Sequence, residues 1–117
     1  MAMTPSGMID MIHPYLLNGW TNWGNEWEEA IIYKNKDGLV TMEGSIKGDY
    51  TKIMFRLPEG FRPNKQLIFT VISDGEITRR LDINSNGELF LNKAGNLGSI
   101  TGNGWLSLSG ISFYAKH

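Results

Sequence analysis

The feature that most constrains this chain is a period of two in its apolar residues, cut at short intervals by glycine-containing turn dipeptides. Val40, Met42, Gly44 and Ile46 fall on one side of an extended chain, with Thr41, Glu43, Ser45 and Lys47 on the other. Ile53, Phe55 and Leu57 alternate with Lys52, Met54 and Arg56, and Ile77, Leu81 and Ile83 alternate with Thr78, Arg80, Asp82 and Asn84. Successive side chains of a strand point to opposite faces, so this pattern specifies half-buried antiparallel strands. Asp37-Gly38, Asp74-Gly75, Asn86-Gly87 and Asn103-Gly104 each suit a tight hairpin, because these residues tolerate positive φ. Asn86-Gly87 is expected as a two-residue turn with positive φ at both positions.

Three stretches depart from the pattern. Leu67 to Ile72 is apolar at every position except Thr70, which predicts a strand covered on both faces, inside a sandwich or at a subunit contact. In the last strand Leu106 and Leu108 are followed by Ile111, Phe113 and Ala115, a slip of one residue that predicts a β-bulge at Ser109-Gly110. Met8, Ile9, Met11, Ile12, Tyr15 and Leu16 fall at helical spacing, with Thr4-Pro5 as a start and Pro14 as an interruption. Residues 1–16 are therefore expected to form a short helix or a stalk, and residues 17–117 an all-β sandwich or barrel.

At 117 residues the chain has the size of one domain and can bury a core without covalent staples. Its 11 basic and 12 acidic residues leave a net charge of −1, so a basic face for nucleic acid would require extreme segregation. The lack of cysteine removes disulfides, thiolate nucleophiles and cysteine-based zinc sites. No apolar run approaches the ~20 residues that span a bilayer, and Met1 to Asp10 lacks the features of a secretory signal.

Asp82-Ile83-Asn84-Ser85-Asn86-Gly87 fits the first half of a calcium-binding EF-hand loop, but the twelfth position is Lys93 where a bidentate Glu is needed. A hairpin is the expected structure, and no metal or other cofactor. The only histidines are His13 and His117, and no nucleophile elbow or phosphate loop is present. Glu26, Glu28 and Glu29 cluster, yet neighbours in a strand cannot point the same way, so the expectation is not an enzyme. Arg79 and Arg80 face opposite sides of their strand. One of them should point inward and need a carboxylate, from Asp82 or another subunit.

Trp20-Thr21-Asn22-Trp23-Gly24-Asn25-Glu26-Trp27 is rich in indoles, which offer flat apolar faces for sugar rings and an N–H for hydroxyls. The same rings could fill a core or a subunit seam. Trp20 and Trp105 are read as core. Trp23 and Trp27 are the candidate platform, with Asp49 and Tyr50 in the adjacent turn as candidate ligand-binding residues.

Leu17-Asn18-Gly19-Trp20-Thr21-Asn22-Trp23, Gly44-Ser45-Ile46-Lys47-Gly48, Leu57-Pro58-Glu59-Gly60-Phe61-Arg62-Pro63 and Trp105 to Phe113 occur in an order that resembles the C-terminal domains of bacteriophage tail-fibre, upper baseplate and related tail-tip proteins, from phages of Gram-positive bacteria. The resemblance spans about Leu17 to Ala115. It implies a compact, jelly-roll-like β-sandwich, assembled as a homotrimer at the virion tail tip and acting at the host surface. Such a domain would recognise a bacterial cell-wall saccharide or teichoic acid, or serve as an adaptor that binds other phage baseplate proteins.

Overall fold

The computed structural model describes residues 8–96 and 101–116, and of residues 8 and 9 the backbone alone. Eleven strands run in chain order: β1 (Met8–Ile12), β2 (Thr21–Asn22), β3 (Ile31–Asn35), β4 (Leu39–Glu43), β5 (Ser45–Asp49), β6 (Phe55–Arg56), β7 (Leu67–Ser73), β8 (Ile77–Ile83), β9 (Glu88–Leu91), β10 (Asn103–Ser107) and β11 (Ser112–Tyr114). They form two antiparallel sheets, β1-β3-β4-β11 and β2-β5-β10-β7-β8-β9-β6, with no α-helix among the described residues. The larger sheet curls into a half-barrel. The flanks of its two edge strands meet where Leu17 N–H donates to the Met54 carbonyl at 2.8 Å.

The alternating residues do what their period requires. Ile32, Val40 and Met42 of the small sheet and Ile46, Leu81, Ile83 and Leu106 of the large one meet in a single core. Burying each such side chain removes about 1.5–3 kcal/mol worth of apolar surface from water. Phe69 of β7 and Phe113 of β11 lie 6.3 Å apart between the sheets, in a tilted arrangement.

Among the described residues the chain passes between the sheets at β1–β2, β2–β3, β4–β5 and β10–β11, and the last two are tight crossings. β4 runs into β5 through Gly44, whose φ of 109° bends the chain from one sheet to the other. A Cβ there would collide with the backbone oxygen of Glu29. β10 and β11 make the second crossing through Leu108 to Ile111. The crossings lie side by side, held by Leu108 N–H to the Gly44 carbonyl and Met42 N–H to the Ile111 carbonyl. The phase slip at Ser109-Gly110 is therefore not a β-bulge. It is a corner, where the chain leaves one sheet for the other and keeps Leu106, Leu108, Ile111 and Phe113 inward.

Residues 8–12 are a strand, not a helix. Asp10 pairs with Lys34, Met11 with Tyr33 and Ile12 with Ile32, and Ile12 and Leu16 pack on the core. Pro14 limits any helix here to a length that is marginal in isolation, whereas the open edge of β3 offers the backbone its hydrogen bonds. The proposed start at Thr4-Pro5 lies outside the described residues, as does His117.

β7 is not covered on both faces. Val71 and Ser73 are buried, but Ile68 is 60% and Ile72 42% exposed on its outer side, beside Thr70. Arg79 is the inward arginine, and it finds no carboxylate among the described residues. Its Nε donates to Ser73 Oγ at 2.7 Å and its guanidinium lies 4.3 Å from the Tyr50 ring centroid. Arg80, two residues from Asp82 on the same face of β8, takes that carboxylate with bonds of 2.8 and 3.0 Å.

The turn before β9 also differs from expectation. Gly87 has φ 83° but Asn86 does not lie at positive φ. Asn84 Oδ1 accepts from the N–H groups of Asn86 and Glu88, and Gly87 N–H donates to the Asn84 carbonyl. This is a type I turn closed by a left-handed glycine. Asn35-Lys36-Asp37-Gly38 repeats it, with Asn35 Oδ1 accepting from Asp37 and Leu39. The leading Asn side chain supplies the acceptor that selects the longer turn.

Candidate functional site

At one edge of the large sheet, Thr21 of β2 pairs with Lys47 of β5, and Lys47 with Trp105 of β10. Asp49 pairs with Asn103 one step along. Ile46 and Leu106 point inward and are fully buried, so the residues that alternate with them point outward. These outward residues floor an open cleft of about 600 Å³, which Asn18, Trp23 and Asp74 also line. A second concavity, about 220 Å³ at the β3–β4 hairpin, has no aromatic lining.

The floor is thin because two glycines point the other way. A Cβ on Gly48 would stand 2.6 Å from the Trp20 ring, and one on Gly104 would collide with the Tyr50 hydroxyl. Trp20 and Tyr50 thus lie directly beneath the cleft, on its core side, with ring centroids 6.3 Å apart. Trp20 Nε1 donates to the Lys52 carbonyl at 3.1 Å, and Tyr50 OH to the Trp105 carbonyl at 2.8 Å. Trp20 is core, as expected. Tyr50, taken as a ligand-binding candidate, is also core: it is 3% exposed and its hydroxyl is spent on Trp105. Asn103-Gly104, read as a turn, lies instead in β10, where glycine is required by the phenol below it.

Above the floor stand three stacked indoles. Trp23 lies 4.8 Å from Trp27 and 4.7 Å from Trp105, with the rings within 5° and 10° of parallel. The loop that builds the stack is tied at both ends. Trp23 N–H donates to the Ser45 carbonyl, Asn22 Oδ1 accepts from Ala30 N–H, and a turn from Gly24 to Trp27 folds the last ring over the first. Trp23 is covered on both faces and offers only its edge to the cleft. Trp27, 46% exposed, presents one outer face beyond the cleft and does not line it. Trp105, read as core, is half-buried and lines the cleft.

Asp49, expected in a turn, is the last residue of β5 and lines the cleft. The Thr51 N–H and then its hydroxyl, both bonded to Oδ1, hold this carboxyl below its ordinary range. It is therefore an anionic acceptor at neutral pH. Lys47, Asp74, Asn103 and Trp105 are site residues that the sequence reading missed. The parity of Trp105 against buried Leu106 was the available signal.

His13 Nδ1 lies 3.0 Å from Glu29 Oε1 on an exposed surface, and neither residue lines the cleft. Among the described residues no three His, Cys, Asp or Glu side chains group as metal ligands, and no helix is long and apolar enough to cross a membrane. Comparison with known protein families, characterised proteins and solved structures gives no match to this chain.

Proposed function

We propose that this domain is a non-catalytic recognition module that binds a bacterial cell-surface saccharide in the β2–β5–β10 cleft. One observation carries the reading: indole surface from Trp23 and Trp105 stands beside Asp49, Asp74, Asn103 and Thr21 on a single concave face. Sugar rings have an apolar C–H side and a hydroxyl rim, and this face offers a partner to each. The motif order noted above supports placing the domain as a jelly-roll-like head on a phage tail fibre or baseplate protein. A shallow cleft buries few ligand atoms, so single-site affinity is weak. Several copies engaging together raise it by ~10²–10⁴ without new contacts.

A second reading, an assembly contact, is favoured by a different observation. Ile68 and Ile72 expose 60 and 42% of their surface on the outer face of β7. Such a strip fits a subunit contact of a homotrimer or docking to another baseplate protein. The two readings use different surfaces and can hold together.

The test is adsorption of the purified domain to a panel of Gram-positive strains, with Trp105→Ala and Trp27→Ala alongside and melting temperatures for each. Loss of adsorption in folded Trp105→Ala supports the cleft. Unchanged adsorption in folded variants of both residues overturns it.

A further inference from the structure

We infer that the cleft selects saccharides that are uncharged or amine-bearing and rejects phosphorylated ones; this rests on the saccharide reading above. The charges that line the cleft are the carboxylates of Asp49 and Asp74 and the ammonium of Lys47. Asp49 and Asn103 sit side by side in register, and Lys47 and Trp105 form the next row. Asp49 Oδ1 accepts from the Thr51 N–H and hydroxyl, and the residue lines the cleft as an anionic acceptor.

Carboxylates accept hydrogen bonds and cannot donate them. A ligand rich in hydroxyl or ammonium donors satisfies them. A phosphodiester or carboxylate brings only acceptors and meets two carboxylates against the single ammonium of Lys47, a net like charge that disfavours binding. Arg79 does not reverse this balance by contact, because it lies on the core side of the sheet, against Tyr50 and Ser73. An ammonium group on the ligand gains charge-assisted hydrogen bonds to the carboxylates of Asp49 and Asp74. The cleft therefore suits an amino sugar or neutral wall glycan and does not suit the phosphodiester-linked backbone of a teichoic acid.

The test is calorimetric titration of the full chain with three tetrasaccharides that share a backbone: glucosamine, N-acetylglucosamine, and 6-phosphorylated N-acetylglucosamine. Affinity should fall in that order, with the first and last separated by about tenfold or more, the scale of one charge-assisted bond against one like-charge contact. Asp74→Asn should narrow that separation by about threefold or more. Asp74 is exposed in the turn after β7, so this variant should fold normally. An equal or reversed order overturns the inference and leaves the saccharide reading standing. Failure of all three to bind overturns both.

Discussion

Gly104→Ala links the fold to the cleft through a single methyl group. Gly104 lies in ordinary extended backbone, so alanine costs nothing in φ and reduces the entropy of the unfolded chain, a gain of about 0.4–1 kcal/mol. Against this, the new Cβ collides with the Tyr50 hydroxyl and stands 2.8 Å from the ring carbon that bears it and 3.0 Å from Asp74 Cβ. Overpacking of a filled core costs about 1–3 kcal/mol. Driving the hydroxyl from the Trp105 carbonyl forfeits a further ~1 kcal/mol. The net expectation is destabilisation by about 1–3.5 kcal/mol, or ~5–20 °C in melting temperature for a domain of this size. Urea unfolding measures it, with an unchanged m-value as the sign of an intact fold. A double-mutant cycle isolates the cause. In a Tyr50→Phe background the hydroxyl and its bond are already gone, so Gly104→Ala should cost about 1 kcal/mol less. Equal costs in the two backgrounds would refute the claim that the phenol is what demands glycine here.

Burial opposes ionisation of Asp82, but hydrogen bonds from Arg80, Gln66 and Asn92 outweigh it and hold the carboxyl below its ordinary range. Its contribution is complete above the unfolded value near ~4 and is lost as pH falls through the lower folded value. Asp82→Asn should flatten the acid limb of a stability–pH curve. Millimolar calcium should leave the melting temperature unchanged, since both Asp82 oxygens are engaged. Gly87→Val should cost about 2 kcal/mol or more in chemical unfolding, because φ is 83° and the Cβ would stand 2.7 Å from the Leu57 carbonyl. Light scattering on eluting protein should give a trimer mass that falls to monomer in Ile68→Lys/Ile72→Lys; a wild-type monomer at micromolar concentration contradicts the assembly reading.

Strands with one buried face were legible because burial imposes the period of two directly, as in Val40 and Met42. The same alternation carried on through Gly44 to Ile46 and hid the passage of the chain from one sheet to the other. The N-terminal stretch was not legible. Met8 to Leu16 has helical spacing, but the free edge of β3 is a tertiary fact that no local window contains. The corner at Ser109-Gly110 shows a subtler limit. A one-residue slip marks a bulge or a change of sheet equally well, and only the pairing of β11 with β4 tells them apart. The same holds at β7, where apolar residues on the outer face report a surface without naming what covers it.

At the site, aromatic content was visible but depth was not. Tyr50 follows Asp49 in a turn, which suggested exposure, yet strand parity sends it beneath Gly104. Trp105 lies one residue from fully buried Leu106, and that neighbour fixes it outward. Stacking was beyond reach. The tie from Asn22 to Ala30 that folds Trp27 onto Trp23 closes a loop whose geometry depends on β5 beneath it.

Four tryptophans give four indole N–H resonances, each reporting one place in this fold. A ¹⁵N-resolved NMR titration with a wall saccharide that adsorbs the domain tests the cleft most directly. The Trp105 and Trp23 indoles should shift in a saturable, dose-dependent manner. Trp20, bonded to the Lys52 carbonyl beneath the floor, should stay near its free position. Binding that leaves Trp105 and Trp23 unmoved, while resonances of the β7 and β8 outer face shift, would contradict the assignment of this cleft as the recognition site.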